Sequence, residues 1–192
     1  MLKLYDYTTS GHAYQARLMM SLLKLRHESY VLGLREKDLE MPSFKPANPL
    51  QQVVVLQDGD FLVWCGNAIL IYLARRYGPE WYPSDAMSVA RVQEWLETSS
   101  KQSAETTRFG HLKAASTDKT EQRNRRAQSH DLLLNVEIAL DGRHWLALNH
   151  ISVADISMYP CIVSALREGV FLSQYPNVQD WLARIETRSG FI

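Results

Sequence analysis

Two short stretches hold the residues best suited to chemistry. In the first, Thr8, Thr9, Ser10, Gly11 and His12 crowd the turn between an apolar opening, Leu2, Leu4 and Tyr5, and a segment with helical spacing. A serine there can cap the helix by accepting a backbone N–H, or it can donate its hydroxyl hydrogen to an anion. The second is Cys65-Gly66, directly ahead of Asn67 and the almost wholly apolar run from Ala68 to Ala74. Cys65 is either a small buried apolar residue or a thiolate at a helix terminus, able to form a mixed disulfide. Gly66 brings a backbone N–H at a helix start, where an anion is favoured. The other cysteine is Cys161, and no CxxC occurs. That spacing argues against a disulfide framework, a zinc site and a dithiol redox centre, so no metal is expected.

The elements that must position these residues are readable from pattern. Leu2 to Tyr5 opens a strand, and Ala16, Met19, Met20 and Leu23 recur at helical spacing between Ala13 and Leu25. Glu28 to Leu32 is a second strand, which completes a βαβ unit with parallel strands. Asn48-Pro49 is a turn signal, Val53 to Leu56 reads as a strand buried on both faces, and Asp58-Gly59 supplies a hairpin before the returning strand Phe61 to Trp64. Lys37 to Lys45 is polar and expected as a short or irregular helix. The first part is thus a four-stranded sheet with helices on both faces.

Gly78-Pro79 stops the helix and Pro83-Ser84-Asp85 restarts the chain, which sets domains at 1–78 and 86–192 with a linker at 79–85. The second domain is all-helical. Helices are expected from Met87 to about Ala114, from Lys119 to Leu140, from Ser152 to about Glu168, and from Pro176 onward. Ser152 and Asp155 have the form of a capping box.

Lys+Arg and Asp+Glu are both 21, so no global field favours nucleic acid or an anionic membrane. Arg123, Arg125 and Arg126 read as a solvated face. The start MLKLYDYTTS has no signal-peptide run, and no apolar stretch approaches the ~20 residues of a span. A cytoplasmic protein is expected, with neither nucleic acid nor membrane as partner.

The stretch from Asn48 to Ala74 resembles the second half of the N-terminal, thioredoxin-like domain of cytosolic glutathione transferases. Asn48, Pro49, Gln52, Val53, Val55, Leu56, Asp58, Gly59, Asn67, Ala68 and Ile69 carry that pattern. Ser152-Val-Ala-Asp-Ile156, following Trp145-Leu146-Ala147, resembles the helix-start motif of the family's all-helical domain, and Tyr175-Pro176 to Phe191 its ending. The resemblance spans nearly the whole chain. Three positions depart from it: Val54 stands where the family has a cis-proline, and Cys65 and Gly66 stand where it has an acid-serine pair.

The resemblance implies a serine-type bacterial-like glutathione transferase, with glutathione as co-substrate and a small electrophile as the second substrate. It implies that Ser10 donates a hydrogen bond to the glutathione sulfur, although capping alone stays open for it, as does substitution by Thr8, Thr9 or His12. A free thiol has a pKa of ~8.5, so a hydroxyl donor at a helix N-terminus raises the thiolate fraction. Gln52 is expected near the glycine end of the peptide, and the backbone of Val53 to pair with its cysteinyl amide. Cys65 and Gly66 face the γ-glutamyl group without the family's charge and hydroxyl. Losing a charge-assisted contact costs about 1.5–3 kcal/mol, so a weakened glutathione site is expected. Val54→Pro, Cys65→Glu and Gly66→Ser are expected to restore it wherever the backbone accepts a cis bond. Trp95, Ser99, Gln102, Ser103 and Thr106 are expected to wall the electrophile pocket, and a core position serves Trp95 as well. A homodimer and a role in detoxification are implied by resemblance. The alternative is a non-catalytic binding or structural module on the same fold.

Overall fold

In the computed structural model, residues 1–6, 10–31, 54–113 and 119–192 are described, with backbone alone for 104–113. Strand β1 (Leu2–Asp6) buries alternate residues, as a strand with one covered face should. Helix α1 (Gly11–Leu22) follows, and then strand β2 (His27–Val31). Strands β3 (Val55–Asp58) and β4 (Phe61–Trp64) form the hairpin around Gly59, whose φ of 59° suits the tight turn. Helix α2 (Gly66–Tyr77) closes this part.

The sheet order is β2-β1-β3-β4, with β1 and β2 parallel and the other pairs antiparallel. This is a thioredoxin-like domain on a mixed sheet, with an all-helical domain after it. The expected strand starting at Val53 begins instead at Val55. Both α1 and α2 pack on each other. The short or irregular helix expected over Lys37 to Lys45 lies outside the described residues.

After a 3₁₀ turn (Pro79–Trp81) come helices α3 (Ala86–Lys113), α4 (Lys119–Ala139), α5 (Val153–Leu166) and α6 (Pro176–Glu186). Helix α5 is the hub, packing against α1, α2, α3 and α4. Its composition explains this: Val153 through Tyr159 are all buried, so it has no solvent face in its first two turns. Pro160 lies inside it.

The start of α5 is held as a capping box. Ser152 Oγ accepts from Ala154 N, and Asp155 Oδ2 accepts from Ser152 N at 2.9 Å. Asp155 is fully buried and also accepts from Ser152 Oγ, Leu146 N and Trp181 Nε1. Four donors around one carboxylate tie together α5, α6 and the Trp145–Leu146 segment. The end of the chain packs back on the first domain: Tyr14 donates to the Ile192 carbonyl at 2.8 Å, and Gly190 lies against the backbone of Ser21 and Leu22.

Candidate functional site

The site expected from sequence lies where α1 and α2 begin. Ser10 caps α1 with extended backbone (φ −79°, ψ 126°), and its Oγ accepts from Ala13 N at 3.4 Å. The bond is long, and a hydroxyl that accepts at one lone pair keeps its hydrogen to donate. Ser10 is half-buried. Thr8 and Thr9 lie outside the described residues. Behind Ser10, Arg17 Nη1 holds the buried Asp6 carboxylate at 2.5–2.6 Å, which fixes the end of β1 against α1.

Helix α2 opens at a strained corner. Cys65 has φ 76° and ψ 124° and makes no side-chain cap. A non-glycine residue at positive φ is uncommon and is held there by its surroundings. Cys65 is half-buried, so it is not the buried apolar residue that one reading of the sequence expects. Val54 is more unusual still: it is 1% exposed with φ 132°, an outlier for a β-branched side chain. The peptide bond before it involves Val53, which with Gln52 lies outside the described residues.

Gly66 shows what the sequence could not. A Cβ there would fall 2.5 Å from His12 Nδ1, 2.9 Å from His12 Cβ and 2.7 Å from Gln15 Oε1. The room of a residue-66 side chain is therefore occupied by two side chains from α1. Gln15 is 0% exposed, and its Nε2 donates to the Ser157 carbonyl at 2.8 Å. Its Oε1 lies 3.5 Å from His12 Nδ1. Burial pushes the His12 imidazole below its ordinary value, against the opposing pull of Gln15.

Next to Gly66, Asn67 anchors α2 to the second domain. Its Nδ2 donates to Leu96 O at 2.7 Å and to the hydroxyls of Ser99 and Ser100, and its Oδ1 accepts from Ser157 Oγ at 2.7 Å. Ser99 and Ser157 also bond each other directly. This buried network joins α1, α2, α3 and α5. Single-residue reasoning missed Gln15 and Asn67 because both types are usually exposed. Gln15 had as its signal only a polar residue within an otherwise apolar helical face, and Asn67 had in addition its fit to the family pattern, which assigned it no role.

The expected pocket residues divide. Ser99 is fully buried within that network. Ser103 faces Cys161 at 3.7 Å, and burial pushes the Cys161 thiol up to about 11. Trp95 is half-buried, with Nε1 donating to Leu146 O at 3.1 Å. Gln102 is half-buried, and the side chain of Thr106 is outside the described residues. An open cleft of about 600 Å³ lies elsewhere, lined by Arg75, Glu80, Tyr82, Asp85 and His150 among others, and includes no expected site residue. Among the described residues no cluster of metal-ligating side chains occurs, and no helix is long and apolar enough to cross a membrane.

Comparison with known proteins places both halves together. Residues 1–75 match the family model for the glutathione S-transferase N-terminal domain, and residues 91–189 the model for its C-terminal domain. The chain is 25% identical to glutathione S-transferase GstB of Escherichia coli (strain K12) over 198 residues, 98% of this chain and 94% of that one. It is 41% identical to glutathione S-transferase theta-1 of Bos taurus over 75 residues, a match that spans 38% of this chain and 31% of that relative. The crystal structure of a glutathione S-transferase from Pseudomonas fluorescens superposes with a TM-score of 0.82 at 26% identity, covering 100% of this chain and 97% of that one.

Proposed function

Because the chain belongs to the glutathione S-transferase family, we propose that it is a serine-type glutathione transferase with a weakened glutathione site, acting on small electrophiles. The observation that supports this most is Ser10. It stands at the N-terminus of α1, half-buried, with a hydroxyl hydrogen left over from its long capping bond. A sulfur placed against that hydroxyl and helix end is stabilised as thiolate. The thiolate then attacks the electrophile's carbon, and the electron pair leaves with the departing group.

The rest of the family site is proposed at Gln52, Val53, Cys65 and Gly66. Cys65 brings no charge and Gly66 no hydroxyl, so the γ-glutamyl end is held by fewer charge-assisted hydrogen bonds. The absence of each such bond costs about 1.5–3 kcal/mol, or roughly one to two orders of magnitude in affinity. Trp95, Gln102, Ser103 and Thr106 are proposed on the electrophile side. Ser99, enclosed in the Asn67 network, supports the wall from behind. We expect a homodimer, checked by light scattering.

A second function is favoured by the filled space at Gly66: a module that keeps the fold but no longer turns over. Conjugation of chlorodinitrobenzene separates the two. Glutathione-dependent turnover that collapses in Ser10→Ala supports the enzyme. Absence of turnover at saturating glutathione supports the non-catalytic module.

A further inference from the structure

We propose that His12 is a specificity-determining residue of the glutathione site: its imidazole takes the room of the missing residue-66 side chain and presents a proton-accepting nitrogen to the γ-glutamyl end of the ligand. This rests on the functional reading above.

Position comes first. A residue-66 side chain would start 2.5 Å from His12 Nδ1 and 2.9 Å from His12 Cβ, so the imidazole occupies the volume next to the first turn of α2. Gly66 and His12 are complementary: the bare glycine is what admits the ring.

Protonation state follows from Gln15. Its Nε2 donates to the Ser157 carbonyl, which can only accept, so the amide orientation is fixed and Oε1 faces His12. An amide oxygen also only accepts. His12 Nδ1 is then the donor, and in the neutral ring Nε2 carries the lone pair. Nε2 has no partner among the described residues, and the ring is half-buried rather than sealed. A free acceptor is thus fixed beside the start of α2.

That chemistry selects its partner. A carboxylate would face a lone pair and gain nothing, whereas an ammonium can donate to it. The γ-glutamyl group offers both, the carboxylate for the backbone N–H groups of α2 and the ammonium for Nε2. No carboxylate stands at Cys65 to receive that ammonium, and His12 supplies a neutral acceptor in its stead.

The test is calorimetric titration of the full chain with glutathione and with an analogue whose γ-glutamyl amino group is replaced by hydrogen. His12→Asn keeps an amide nitrogen near the Nδ1 position to bond Gln15 but removes the Nε2 acceptor. His12→Gln places an amide near the Nε2 position. The expected result is about a tenfold loss of glutathione affinity in His12→Asn, recovery in His12→Gln, and no change in either for the analogue. Equal glutathione affinity in His12→Asn and the unmodified chain overturns the role of His12 alone. No glutathione binding by the unmodified chain removes the functional reading and this one with it.

Discussion

The imidazole of His12 stands where a side chain on Gly66 would have to begin, 2.5 Å from the position of its Cβ. Two helices from one domain thereby share a single volume, and whichever residue fills it excludes the other.

The first prediction concerns that exclusion. Gly66→Ser alone would push into His12 Cβ, which has no rotamer freedom to move aside. It should destabilise by about 1–3 kcal/mol and weaken glutathione binding, contrary to the restoring effect expected from sequence. Combined with His12→Ala, which removes the ring and its 2.5 Å Nδ1 contact but keeps the Cβ, it should regain part of the stability, while the loss of Nε2 keeps glutathione binding weak. Urea unfolding and titration of the two single variants and the pair give the coupling. Additive effects would mean that the residues do not share the space. Val54→Pro is opposed on similar grounds, since proline requires φ near −65° and Val54 has φ 132°.

The second prediction is a pH dependence. Unfolded, His12 takes up its proton near pH 6.5. Folded, burial keeps it neutral to lower pH. Between those values the unfolded chain binds more protons, so stability should fall as pH drops through 6.5 toward the depressed folded value. His12→Gln should flatten that part of the stability profile. An unchanged slope in the variant would assign the titration to another group.

Much of the fold was legible because its signals are local. Asp58-Gly59 specifies its hairpin, and Ser152 with Asp155 specifies the start of α5, each through a few adjacent residues. The site was legible only in part. Ser10 and Gly66 could be placed at helix starts, but nothing local says that His12 on α1 meets Gly66 on α2. That meeting depends on how two helices pack. Gln15 and Asn67 were missed for the same reason: their burial is created by α5 and α3, elements distant in sequence. Ser99 has the helical register expected of a pocket wall, yet its hydroxyl is claimed by Ser157 and Leu96.

A third prediction follows from Asp155. Its carboxylate is buried, has no ion-pair partner among the described residues, and is satisfied by four donors. Asp155→Ala leaves those donors unpaired and should cost about 3 kcal/mol or more. Ser152→Ala should cost about 1 kcal/mol. Chemical unfolding checks both, and a cost for Asp155→Ala below that of Ser152→Ala would contradict the assignment.

A fourth concerns Gly190. It has φ 96°, and a Cβ there would sit 2.7 Å from the Ser21 carbonyl oxygen and 3.3 Å from Leu22 Cα. Backbone cannot swing aside as a flexible side chain does. Gly190→Ala should destabilise by about 1–3 kcal/mol and loosen the packing of residues 190–192 on α1. Hydrogen exchange in α1 would register the loosening, and unchanged protection would argue that the tail contributes nothing there.

We propose that glutathione binds this chain through a site that lacks the family's acid and hydroxyl. The most direct measurement of that binding is calorimetric titration of the unmodified chain with glutathione, run beside GstB of Escherichia coli under the same conditions. The predicted result is saturable binding of one glutathione per chain, about ten- to a hundredfold weaker than to GstB. No saturable binding would contradict glutathione as the ligand, and affinity equal to that of GstB would contradict the weakened site.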